Sequence, residues 1–248
     1  MNEAAIWIPY CGIAPAPDAL AGRWNGDPFL AAALVAVSIG YFRYVSPTAR
    51  QNRAFLAALA LVLLLFFSPF CALTSALFAA RTVHHTLLTA AVAPLLALAL
   101  APIARAPRGG IVLWTVAHIL AFWIWHAPPA YAWALSNNPA YWLMQGTILL
   151  TSWGMWAHIR AAPLPIGIAV LLAMMVQMGL LGALLLFNAN ALYAPHYFTT
   201  QAWGFSPLED QQLAGLIMWA PAAGFYLAAA LWLLARWFGA EERGALAR

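Results

Sequence analysis

Lysine is absent from this sequence, and charge of either sign is scarce: eleven arginines and seven acidic residues amount to 7% of 248 residues. A soluble domain carries roughly a quarter charged residues to keep its surface wet. No such surface can be built here, and with 65% hydrophobic residues most of the chain must be solvated by lipid. The arginines stand one or two at a time between apolar runs, and without a basic face the formal charge of +4 does not indicate a nucleic-acid partner. Two cysteines, Cys11 and Cys71, are too few for a disulfide framework. No segment alternates in the manner of a membrane β-strand, which excludes a closed sheet. Internal repeats, low-complexity tracts and a soluble domain are lacking as well. The first apolar run follows a long, mildly acidic segment and precedes further runs, so it reads as a span and not as a cleaved signal peptide.

What the sequence has instead is apolar runs near the length a bilayer requires, about 20 residues with a usual range of roughly 17–25. Proline, glycine, asparagine and arginine punctuation divides them into seven expected spans: 29–45, 54–70, 77–100, 111–125, 141–159, 166–187 and 208–238. The last is long, and Pro221 gives it a place to kink. The expected fold is therefore all-α, a bundle of about seven transmembrane helices (29–238) between an outer N-terminal segment (1–28) and a cytoplasmic tail (239–248).

Arginine sets the orientation. Arg43, Arg50, Arg53, Arg105, Arg108, Arg160, Arg236, Arg243 and Arg248 all fall on one side of this arrangement, against Arg23 and Arg81 on the other. The positive-inside rule makes that side cytoplasmic, with the N-terminus outside and the C-terminus inside. Both cysteines, the 128–139 connection and the aromatic 188–205 loop then lie outside. The expected location is the inner (cytoplasmic) membrane, crossed several times.

Ionisable groups inside a bilayer are costly, about 2.5–3.5 kcal/mol on insertion scales, and default to a functional hypothesis. The third span carries Arg81, His84 and His85; Arg81, His85 and Thr89 recur at i, i+4 and i+8 as one polar stripe. The fourth span runs the opposite way with His126 at its outer end and His118 deeper. His85 and His118 thus lie at similar depth, each roughly 12 Å from the outer end of its helix at 1.5 Å per residue. His118 reads either as a hydrogen-bonded interior residue or as a ligand. The seventh span opens on Ser206-Pro207-Leu208-Glu209, an N-cap, a first-turn proline and a capping-box acid. Asp210 follows in the first turn, and Gln211, Gly215 and Met218 share a face on which Gly215 permits close approach of another helix. Arg81 either snorkels or pairs with Asp210 or Glu209. Cys11 and Cys71 on the oxidising side read equally as a structural disulfide or as part of a shared metal site, with two unrelated cysteines the remaining alternative. The candidate metal ligands are His85, His126, Met218, Asp210, His84, His118, Cys11 and Cys71, donor types that suit copper.

An ordered set of short segments carries a resemblance. They are Trp7-Ile8-Pro9-Tyr10-Cys11-Gly12, Arg23-Trp24-Asn25-Gly26-Asp27-Pro28, Ser68-Pro69-Phe70-Cys71-Ala72-Leu73, His85-Thr86-Leu87-Leu88 with Ala93-Pro94-Leu95-Leu96, Trp125-His126-Ala127-Pro128 with Tyr131, Leu192-Tyr193-Ala194-Pro195-His196-Tyr197, and Asp210 to Trp219. Together they resemble the CtaG-type family of membrane proteins that assist cytochrome c oxidase assembly. The resemblance implies a seven-helix fold, no enzymatic activity, and a part in delivering or inserting oxidase copper, with oxidase subunits or a copper chaperone as partners. The chain departs from the family at two places. A His-Met-x-Gln-His pattern in the third span reads Arg81-Thr82-Val83-His84-His85 here, and Gln145 stands where a histidine is often found.

Two other functions compete. A haem-binding redox protein would use His85 and His118 as axial ligands. A transporter of copper or protons would need polar groups through the full membrane depth, and the cytoplasmic halves of the spans supply almost none.

Overall fold

Each of the seven apolar segments is helical in the computed structural model, and most of its helices begin at a proline or a capping side chain. The structure describes residue 7, residues 9–101 and residues 108–246, with side chains to Gly239. Among these there is no strand. Arg105, Arg248 and the Arg243 side chain, used above to assign sides, lie outside the described set.

Helix α1 (Pro28–Tyr44) starts on Asp27, whose carboxylate accepts from the Phe29 and Leu30 N–H groups at 2.8 and 3.2 Å. Helix α2 (Ala49–Phe66) opens with a Thr48–Gln51 capping box. The expected second span ran to residue 70; instead the chain breaks after Phe66, because Ser68 and Pro69 cap and start a separate short helix, α3 (Pro69–Ala76). The third span comprises α4 (Phe78–Leu87), a π-helical turn (Leu88–Val92) and α5 (Ala93–Ala99). Helix α6 (Gly110–His126) gives way to α7 (Pro128–Ser136) at 77°, where Pro128 forces Ala127 into an extended conformation. The 128–139 stretch, expected as a connection, is thus mostly helix. Helices α8 (Asn138–Ala161) and α9 (Leu164–Leu186) follow. The seventh segment is α10 (Pro207–Ile217), a second π turn (Met218–Ala222) around Pro221, and α11 (Ala223–Leu246).

By length and composition four of these are fit to cross a membrane: Ala49–Phe66, Phe78–Ala99, Leu164–Leu186 and Pro207–Gly239, with the bent α6–α7 pair a fifth. Helix α1 is apolar but shorter, and α8 carries glutamine, threonine, serine, histidine and arginine along its length. The protein is therefore a membrane protein of helices. Buried residues make up 56% of the apolar window of Phe78–Ala99 against 28–33% in the other three, which makes α4–α5 the axis of the bundle. Around it, α8 and α10 pack directly, α2 lies against α5, α6 against α8, and α9 against α10 and α11.

The first π turn has a local cause. Pro94 has no N–H, and Ala93 reaches back five residues to the Leu88 carbonyl, so the Thr89 carbonyl is released from its own helix. Helix α8 takes it up: Ser152 Oγ and Trp156 Nε1 donate to it at 3.0 and 2.9 Å. Helices α9 and α10 meet at two glycines. A Cβ on Gly182 would lie 2.7 Å from the Gly215 carbonyl and the Trp219 nitrogen, and one on Gly215 would lie 2.6 Å from the Leu186 nitrogen. Only glycine admits this crossing, as the sequence anticipates for Gly215.

The N-terminal segment folds back over one end of the bundle. Cys11 and Cys71 form a disulfide, Tyr10 donates to Asp27 and stacks on Tyr141, and Asn25 caps the end of α2 through the Phe66 and Phe67 carbonyls. The Tyr10 hydrogen bond, followed by the Leu30 and Phe29 amides, holds the Asp27 carboxyl below its ordinary range.

Candidate functional site

Helix α4 enters the bundle at Leu77, which has no side chain able to cap it. Asp210, on α10, performs this task from across the interface: its fully buried carboxylate accepts from the Phe78 and Ala79 N–H groups at 2.7 and 3.1 Å. The helix dipole favours that negative charge. Helix α10 has its own cap in the Ser206–Glu209 box read from the sequence. One turn into α4, Arg81 is fully buried. It neither snorkels nor bonds Asp210; it donates to the Thr74 carbonyl at 3.2 Å and to Tyr141 Oη at 3.4 Å, with its guanidinium 5.3 Å from the Tyr141 ring centroid.

The next turn carries His85, which with His118 and His126 of α6, Met178 of α9 and Met218 of the second π turn lines a small central cavity. Thr82, Thr86 and Thr89 add hydroxyls to its wall. The Gly182–Gly215 crossing puts Met218 there, since the Met218 Cβ sits 3.1 Å from where a Gly182 side chain would begin. The volume is about 10 Å³, room for one water or one bare ion.

Hydrogen bonds set the histidine tautomers. His126 Nδ1 lies 2.7 Å from the Phe122 carbonyl and must donate to it, leaving the lone pair on Nε2. His118 Nδ1 lies 3.0 Å from Thr151 Oγ1, whose own hydroxyl donates to the Thr147 carbonyl at 2.7 Å. His118 Nδ1 therefore donates too, and its Nε2 lone pair is buried without a partner. His85 Nε2 lies 3.2 Å from the Gln145 side-chain amide, while its Nδ1 and Gln145 Oε1 are buried and unpartnered. With the amide turned half a rotation, Gln145 Oε1 accepts from His85 Nε2–H and Nδ1 becomes the free lone pair. Gln145, the residue that departs from the family pattern, thus orients His85. The His85 and His126 rings stand edge to face with centroids 5.9 Å apart. Among the described residues no three His, Cys, Asp or Glu side chains are close enough to hold a metal by themselves. Two thioethers, those of Met178 and Met218, line the same cavity.

Of the residues singled out in the sequence, His85, His118, His126 and Met218 come together. Asp210 does not; both its oxygens are engaged by α4. His84 points away from the cavity onto Phe66, with ring centroids 4.9 Å apart, and both its nitrogens are buried without partners. Cys11 and Cys71 are bonded to each other, so neither offers a thiolate. Met178 belongs to the cluster and went unnoticed, because a methionine in an apolar helix looks like ordinary packing. Its position four residues before Gly182, on the helix that crosses Gly215, was the available signal. Outside the cavity, His196 accepts from Tyr131 Oη at 2.7 Å through Nε2 and faces the Ala76 carbonyl through Nδ1. Burial, reinforced by the Arg81 charge, lowers its pKa to about 3.

Neither the curated proteins nor the solved structures contain a match to this chain. A family model described as cytochrome c oxidase caa3 assembly factor matches residues 29–240, from the start of α1 into α11, and the chain belongs to that family.

Proposed function

We propose that this assembly factor holds copper as Cu(I) in the His85–His118–His126–Met178–Met218 cavity, for transfer to a caa3-type oxidase. The observation that carries the reading is the convergence of three imidazoles and two thioethers on a space of about 10 Å³, with nitrogens of His85 and His118 buried and unpartnered. Thioether and imidazole are donors that suit Cu(I), and neither needs to lose a proton from a charged form to bind it. The surrounding Phe122 and Ile148 keep bulk water out, which protects a reduced ion. The protein performs no bond-making chemistry in this account. It exchanges ligands with an oxidase subunit or a copper chaperone docking on the outer end of the bundle. The haem reading is less well supported, since a porphyrin between His85 and His118 does not fit a cavity of that volume.

The orientation belongs to the same proposal: seven spans in the cytoplasmic membrane, N-terminus outside, C-terminus inside. It is supported by the arginine distribution and by the disulfide at the opposite end of the bundle.

The test is a deletion strain grown with limiting copper. The expected result is oxidase subunits that are synthesised but poorly active, with other respiratory enzymes unaffected. His85→Ala and His85→Gln should both fail to restore activity, since glutamine keeps a hydrogen bond but supplies no imidazole, whereas His158→Ala should restore it. Full oxidase activity in the deletion strain would overturn the assembly role in this organism. Full rescue by His85→Gln would leave that role standing and remove His85 as a ligand.

A further inference from the structure

At the end of the bundle where α2 begins and α8 ends, a second cavity of about 660 Å³ opens between α2, α5, α8, α9 and α11. Three arginines from three helices line it: Arg50, Arg160 and Arg236. All three are exposed, and no acidic side chain lines the cavity among the described residues. Arg160 donates to the Ala97 carbonyl, and Arg236 lies 4.9 Å from the Trp232 ring centroid. Among the described residues, then, like charges share one cavity with no acidic side chain between them. Such an arrangement is unfavourable by itself and favours whatever anion enters between them.

Behind the guanidiniums the wall is apolar. It runs along α5 and the first π turn from Leu98 to Ala90, roughly 12 Å at 1.5 Å per residue, with Pro94, Trp156 and Leu171 deeper in. Trp156 is the residue that donates to the released Thr89 carbonyl, so the inner end of this groove touches the scaffold that floors the histidine cavity. A soluble anion would use the arginines and leave this wall unused. A molecule with a phosphate at one end and a hydrocarbon chain at the other would use both.

We propose that this cavity is a binding site for an anionic phospholipid, its phosphate held by Arg50, Arg160 and Arg236 and an acyl chain lying along α5 towards Trp156. Guanidinium matches phosphate in planar, two-point fashion, and basic residues at a membrane surface attract anionic lipid by about 1 kcal/mol each, which is about fivefold in affinity per arginine. The bound lipid would complete the packing of α5 against α8 and α11 and so steady the π turn. This proposal is independent of copper binding.

The experiment is native mass spectrometry of the full-length protein in detergent, titrated with phosphatidylglycerol, phosphatidylcholine or inorganic phosphate. The expected result is one phosphatidylglycerol bound at least about tenfold more tightly than phosphatidylcholine. Each of Arg50→Gln, Arg160→Gln and Arg236→Gln should lower that preference about fivefold, and the triple variant should abolish it. Arg53→Gln, an exposed arginine at the same end that does not line the cavity, should leave it intact. Ala162→Trp, at the rim, should weaken both lipids without removing a charge. Equal binding of the two lipids, or selectivity that survives in the single and triple variants, would overturn the proposal. So would inorganic phosphate binding with the affinity of phosphatidylglycerol and displacing it, since the site would then read a soluble anion. Should the triple variant not fold, the three single variants decide.

Discussion

Replacing Asp210 with alanine tests whether this buried acid is a helix cap or a metal ligand. Its oxygens lie 2.7 and 3.1 Å from the Phe78 and Ala79 nitrogens, and its side chain is 0% exposed. Alanine leaves two N–H groups with no acceptor in a dry interface, at about 1–3 kcal/mol each, or about 2–6 kcal/mol together. Asparagine retains one acceptor and turns an amide N–H₂ toward the second amide, so it should recover no more than about half. For a chain of this size about 2–4 °C accompanies each kcal/mol, which puts the Asp210→Ala loss at roughly 5–20 °C in a thermal melt in detergent. Arg81, one turn further along α4, would at the same time lose the nearest buried negative charge. A metal-ligand role predicts something else, unchanged melting with lost copper. An Asp210→Ala protein within about 0.5 kcal/mol of the parent would refute the capping argument.

Three further outcomes are expected. Gly182→Ala should cost about 1–3 kcal/mol and lower copper retention, because its Cβ meets backbone at 2.7 Å and can be accommodated only by separating α9 from α10 and drawing Met218 outward, whereas Gly146→Ala, with open space around it, should be neutral in the same melt. Mass spectrometry without reduction should show a deficit of two hydrogens that Cys11→Ser abolishes; opening a closure over 60 residues should destabilise by at most about 4 kcal/mol in the chain-entropy picture. His196 is held neutral, with its pKa lowered to about 3 from an ordinary value near 6.5, so the unfolded chain binds the extra proton between these values. Its contribution is fully present above pH 6.5 and is lost as pH falls towards 3, by up to about 1.4 kcal/mol per pH unit. The melting difference between the parent and His196→Gln should shrink or reverse from pH 7.5 to pH 4.5, and a constant difference would contradict the assignment.

The parts of this fold legible in the sequence are those fixed by neighbouring residues. The Ser206–Glu209 capping box and the helical runs needed nothing beyond local chemistry. The break at Ser68–Pro69 has an equally local signal, masked by the apolar run around it. The π turn before Pro94 had a visible cause but no visible consequence, because the carbonyl it releases is claimed by Ser152 and Trp156 from a helix more than 60 residues away. Within the site, His85, His118 and His126 stood out as polar groups in apolar helices. Met178 did not, since lipid-facing and core-facing positions of a membrane helix are equally apolar. Asp210 was visible as an unusual residue, yet its role depends on α4 lying alongside α10, and helix pairing leaves no mark in composition.

Anaerobic titration of the detergent-purified protein with Cu(I), read by metal analysis after desalting, addresses the proposed cavity most directly. The account predicts close to one equivalent retained, sharply reduced in His118→Ala and in the Met178→Leu/Met218→Leu pair. It predicts retention unchanged in His158→Ala and in His84→Phe, which keeps the ring packing against Phe66. Protein that retains no copper, or that retains it equally well without both thioethers, would contradict it.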